Sequence, residues 1–165
     1  MNKHRRLSAV MLAMTLSFQA GATQTGDQID VTFHGVLKQR PCHINNDRPI
    51  EIHFGNVGIE KVDGARYKQA VSYGMVCEDP DANAALTLIV KGTPTGFDPA
   101  AVSTSANGLG IQILQNGQPF ILNQRIRSVN NPPLPKLEVV PVKDPAVALA
   151  EGHFTATATL LAEYE

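Results

Sequence analysis

Apolar and polar residues alternate in short runs along most of the chain, and turn-forming residues separate the runs. Successive side chains of a strand point to opposite faces, so this spacing predicts half-buried β-strands. Residues 29–37 alternate, and Ile50-Glu51-Ile52-His53-Phe54 alternates until Gly55-Asn56 stops it. Residues 71–77 are short and mixed, and residues 86–90 form a fuller apolar run ending at Lys91-Gly92. Residues 109–114 lead into Asn116-Gly117 and then Phe120-Ile121-Leu122, a hairpin signature. Residues 137–142 are strand-like but contain Pro141, which predicts an edge or a bend. Residues 154–164 alternate through eleven positions, and 144–151 alone suggest a helical turn. Most of the 13 Gly and 11 Pro punctuate these runs. The pattern predicts an all-β chain, a sandwich of immunoglobulin-like size, with one domain and no repeat.

Two segments stand out. In the first, Ile29, Val31, Phe33, Gly35 and Leu37 share one face, which is apolar apart from the glycine; Gln28, Asp30, Thr32, His34, Val36 and Lys38 share the other. A glycine inside a strand suggests close approach by another backbone or side chain. By pattern alone the favoured reading is the ordinary first strand of a sandwich with a bulge at Gly35. In the second segment, Phe154, Ala156, Ala158, Leu160, Ala162 and Tyr164 share one face, and His153, Thr155, Thr157, Thr159, Leu161 and Glu163 the other. An ordinary last strand has this pattern too.

Composition fits a folded domain: 43% hydrophobic, 18% charged, with 14 Lys+Arg against 15 Asp+Glu in 165 residues. That balance offers no basic surplus for nucleic acid. The start reads as a secretory signal over residues 1–22. Lys3, Arg5 and Arg6 precede a 12-residue apolar stretch (7–18), too short to span a bilayer, and Ala20-Gly21-Ala22 provides a cleavage site before Thr23. Cleavage would leave 143 residues, shift the formal charge from −1 to −4, and leave no membrane span. Export gives the two cysteines a meaning. Cys42 and Cys77 lack a Cys-x-x-Cys spacing, and two lone cysteines in an oxidising compartment are expected to pair.

Catalytic chemistry is not indicated. There is no Gly-x-Ser-x-Gly elbow and no phosphate-binding glycine loop, and the five histidines lack metal-ligand spacing. No enzyme activity, cofactor or metal is expected.

The two segments together resemble subunits of chaperone–usher fimbriae. Val31-Thr32-Phe33-His34-Gly35-Val36-Leu37, followed by Arg40-Pro41-Cys42-His43-Ile44-Asn45, is similar to the start of minor tip subunits of P-type pili. Ile52-His53-Phe54-Gly55-Asn56-Val57 fits as well, as does Leu109-Gly110-Ile111. At the other end, Tyr164 stands at the family's penultimate aromatic position and Gly152 fourteenth from the end.

The resemblance implies an incomplete immunoglobulin-like sandwich that lacks its final strand and carries an N-terminal donor-strand extension. Residues 1–22 would be the signal, 23–38 the extension and 39–165 the pilin domain. A periplasmic pilus chaperone would fill the vacant groove first. An outer-membrane usher would then exchange its strand for the extension of a neighbouring fimbrial subunit. Ile29, Val31, Phe33 and Leu37 would enter pockets of that neighbour, with Gly35 at its tight point. The C-terminal motif, Gly152, Phe154, Ala156, Ala158, Leu160, Ala162, Tyr164 and Glu165, would line the groove and meet the chaperone. An adhesin's second, sugar-binding domain has no room in 143 residues. The expected role is a minor tip or adaptor subunit on the bacterial surface, supporting adhesion. The alternatives are a rod-forming subunit, or a stand-alone secreted immunoglobulin-like binding domain that keeps residues 29–37 as its own strand.

Overall fold

The computed structural model describes residue 26 and residues 29–37, 41–78, 84–127 and 133–164. The expected signal segment 1–22 and Glu165 lie outside the described residues. The chain divides into two units, Met1–Leu37 and Lys38–Glu165.

In the first unit, residues 29–37 carry no strand assignment. Their apolar side chains are exposed: Ile29, Val31, Phe33, Val36 and Leu37 all lie among the exposed large hydrophobics.

Among the described residues the second unit holds ten short strands. These are β1 (Cys42–Ile44), β2 (Gln69–Val71), β3 (Met75–Cys77), β4 (Leu86–Lys91), β5 (Ala101–Ser103), β6 (Leu109–Gln115), β7 (Gln118–Pro119), β8 (Arg125–Ile126), β9 (Leu137–Lys143) and β10 (Thr159–Tyr164). One sheet runs β10-β4-β8 and the other β2-β9-β6-β5, with β7 folded back on β6; β1 and β3 form a separate pair. Every pairing is antiparallel. The core lies between the two larger sheets. Leu86, Leu88, Val90 and Ile126 come from one side, and Val102, Ile111, Ile113, Leu137 and Val139 from the other.

Local sequence explains much of this. Asn116 (φ 50°) and Gly117 (φ 81°) hold the left-handed backbone of a tight turn, which sets Gln115 opposite Gln118. β4 is buried on both faces from Leu86 to Val90, hence its continuous apolar run. Its one polar member, Thr87, donates its hydroxyl to the Glu163 carbonyl at 3.2 Å, so nothing polar there is left unpaired. Gly110 has no room for a side chain: a Cβ would come within 2.8 Å of Thr95 Cγ2 and 3.0 Å of Ala101 Cβ.

Several expectations need correction. Residues 71–77 are not one run, because β2 ends at Val71 and β3 begins at Met75. Phe120-Ile121-Leu122 is not a strand; β7 stops at Pro119, and Leu122 instead donates its N–H to the Pro99 carbonyl. Pro141 does not put β9 at an edge. The strand is interior, but β2 pairs only with Leu137, Glu138 and Val139, so that side of β9 has no ladder to interrupt at Pro141. Residues 144–151 hold one hydrogen-bonded turn, Val147 N–H to Asp144 O, and no helix.

Candidate functional site

The segments 49–57 and 152–158 keep strand-like alternation yet belong to no ladder among the described residues. Along the first, Ile50, Ile52 and Phe54 are half-buried while Glu51 and His53 are exposed. Ile52 and Phe54 pack against the core. The second leads into β10, whose residues pair with β4 from Thr159↔Lys91 to Tyr164↔Leu86. It is tied at one point to a loop: Ser105 N–H donates to the Thr155 carbonyl, and Thr155 N–H to Ser105 Oγ.

These two segments are the rims of an open groove of about 1670 Å³. Its floor reaches core side chains, Val71, Val90, Val102, Ile111, Ile113, Leu137 and Val139 among them. Part of the face that the sequence groups together lies here, while Ala162 and Tyr164 fall outside the groove lining. Phe154, Leu160, Ala162 and Tyr164 pack against the core, whereas Ala156 and Ala158, on the same face, are exposed. Phe154, Ala156, Ala158 and Leu160 all line the groove. Gly152 opens the second rim with φ 155°, a backbone conformation that side chains rarely adopt. Across the seam the rings of Phe54 and Phe154 meet, 6.1 Å between centroids. The groove's outer lining is mildly acidic: Glu51, Glu60 and Glu151 stand against Lys61.

Rim 49–57 is reached through a covalently fixed corner. Cys42 and Cys77 face each other across the β1–β3 ladder and form a disulfide, as expected. The next residues, Asn45, Asn46 and Asp47, have φ of 50°, 54° and 58°, three successive left-handed positions that side chains disfavour. Side chains hold them: Asn45 Nδ2 donates to the Arg48 carbonyl at 3.0 Å, and His43 Nδ1 lies 2.7 Å from Asp47 Oδ2. The hydrogen bond to Asp47, with its charge and that of Glu78 behind it, raises the His43 pKa. Two residues before β3, Tyr73 donates its hydroxyl to the Pro135 carbonyl at 2.7 Å. Burial pushes its pKa up to about 12. Sequence reasoning missed both contacts; the Asn-Asn-Asp run was the one local signal available.

Among the described residues no helix is long and apolar enough to cross a membrane, and no three of His, Cys, Asp and Glu come together to hold a metal ion. In the first unit, a Cβ added at Gly35 would meet nothing within 4 Å.

A two-sheet antiparallel sandwich with a disulfide and an apolar groove between unladdered strand segments is the architecture of immunoglobulin-like pilins. Solved structures bear out the fold. The chain is similar to the P pilus rod subunit PapA, with a TM-score of 0.60 and 20% identity over 82% of this chain and 100% of that one. It is also similar to the P pilus adaptor subunit PapF, with a TM-score of 0.55 and 24% identity over 76% of this chain and 96% of that one. The chain belongs to the fimbrial protein family, whose sequence model matches residues 31–165. It is 35% identical to the fimbrial-like protein YfcQ of Escherichia coli (strain K12) over 92% of this chain and 97% of that protein. With the fimbrial-like protein YfcR of the same organism it shares 31% identity over 76% of this chain and 74% of that protein. It is thus a subunit of a chaperone–usher fimbria, and its family places it in a surface pilus with other fimbrial subunits.

Proposed function

We propose that the chain is a minor tip or adaptor subunit that joins its neighbours by donor-strand exchange, with residues 23–38 as the donor. The observation that carries this reading is a pairing of opposites. Residues 29–37 form an apolar-faced segment without a ladder, and the pilin domain has a groove whose rims are strand segments without a ladder. Each is what the other lacks, and an unpaired edge beside an apolar groove is a template for strand addition. Ile29, Val31, Phe33 and Leu37 enter the groove of the preceding subunit. At ~1.5–3 kcal/mol per buried side chain they supply a gross ~6–12 kcal/mol, before the entropy of ordering the segment. Backbone pairing adds to this, so the joint dissociates slowly.

In transit through the periplasm, a chaperone holds the groove and an usher directs the exchange. Phe154, Ala156, Ala158, Leu160, Ala162 and Tyr164 form the strand that the chaperone meets, with Gly152 opening it. The carboxylate of Glu165 makes charge-assisted contacts with basic chaperone residues. The minor position rests on the tip-like starts, residues 31–37 and 40–45. Counting copies per fimbria by quantitative mass spectrometry tests it, and abundance equal to the major subunit would overturn it.

The donor assignment is tested by removing residues 23–38. The shortened subunit should keep its disulfide and still be captured by the chaperone, yet fail to join the preceding subunit. Loss of the folded domain would instead make residues 29–37 its own first strand. Gly35→Asn gives the finer test. It should leave the subunit's own fold intact, since a side chain there meets open space, and should block joining in a mixing assay read by gel. Joining at the wild-type rate would remove the donor role from this segment.

A further inference from the structure

Phe54 and Phe154 stand one on each rim, and their rings meet 6.1 Å apart with planes inclined by 38°. Both are half-buried and both pack against the core, so neither swings freely in solvent. A strand entering the seam needs a backbone neighbour on each side at about 4.7–4.9 Å, which sets the rims about twice that far apart. Two rings in contact distance across that gap occupy the ground the entering strand must cross.

We propose that Phe54 and Phe154 form an aromatic latch that bridges the open, strand-free groove at one point and must part before a strand enters. This rests on reading the groove as a strand acceptor. Parting the rings forfeits their mutual attraction and wets the apolar surface between them, so the latch slows entry. It also shields part of the floor while no strand is bound. The latch is one contact made by two residues. Removing either ring abolishes it whole, and removing the second changes nothing more.

The test follows strand entry during refolding of the full chain from urea, disulfide intact, with excess fluorescein-labelled peptide of residues 26–38. Entry is read as a rise in anisotropy. Phe54→Ala and Phe154→Ala should each speed entry by about two- to tenfold, the range set by an aromatic pair, and the double variant should be no faster than the faster single. Singles that enter no faster than wild type would overturn the latch, as would a double variant whose effect is the product of the two. In either case the acceptor reading stands, because peptide enters. If neither wild type nor variants take up peptide, the acceptor reading and the latch fall together. Phe54→Leu and Phe154→Leu keep the bulk and protect folding. They should show the same non-additivity with smaller accelerations, and additive effects in this pair would also overturn the proposal.

Discussion

The β6–β9 ladder and the open seam are made from the same kind of sequence and end in opposite states. β6 and β9 pair through seven positions, from Leu109↔Lys143 to Gln115↔Leu137. Residues 49–57 and 152–158 alternate as regularly, yet none of them pairs among the described residues. Alternation thus specifies which face of a segment is fit for burial. Whether a ladder forms depends on a partner backbone, which alternation does not encode. Where both partners belong to the chain, the domain closes; where one is missing, the core is left reachable from outside.

That contrast can be broken. Leu114, buried in β6 of the closed ladder, should lose about 2–5 kcal/mol on truncation to Ala, whereas the half-buried Phe154 should lose only about 1–2 kcal/mol. Urea unfolding of both variants measures the difference, and equal losses would mean the seam is as closed as the ladder. Replacing Cys42 and Cys77 together with Ser should cost about 2–4 kcal/mol, read as a lower urea midpoint. Gly110→Ala should cost about 1–3 kcal/mol through overpacking against Thr95 and Ala101, while Gly35→Ala should leave the unfolding midpoint unchanged. Tyr73→Phe should cost about 0.5–1.5 kcal/mol near neutrality by losing its hydrogen bond to Pro135. Because folding raises the Tyr73 pKa from its ordinary 10 to about 12, its contribution is complete below pH 10 and is lost as pH rises through 12. Alkaline denaturation of Tyr73→Phe should therefore be flatter across that window. The smallest effect belongs to His43. Its raised pKa makes the clamp on Asp47 strongest below pH 6.5 and weaker as pH rises through its folded value. Histidine chemical shifts in wild type and Asp47→Asn measure this, and identical titration in the two would remove the clamp.

Much of the fold was legible because its signals are local. Asn116-Gly117 marks its own turn, the two cysteines leave one intramolecular pairing, and residues 154–164 show their apolar face without reference to the rest. What was not legible depends on distant partners. β5 has three residues and β8 two, too few for any period to register. The need for glycine at position 110 lies in Thr95 and Ala101, not in its neighbours. Phe54 and Phe154 each read as an ordinary inward residue, and nothing local announces that residues one hundred positions apart touch. The Ile50–Phe54 alternation was read as a strand because periodicity registers the face and not the missing neighbour.

The disulfide has a mechanical consequence. If residues 29–37 are the donor, tension applied through them would enter the pilin domain at β1, which the ladder holds to β3 by three register pairs. Hydrogen bonds loaded in so short a ladder would open one after another. Cys42 is the first residue of β1 and is bonded covalently to Cys77 at the far end of β3. A pull on residues 29–37 would therefore be carried past this three-pair ladder by a covalent bond. The corner works as a shackle, passing load into the chain around β3 while the strands beside it stay slack.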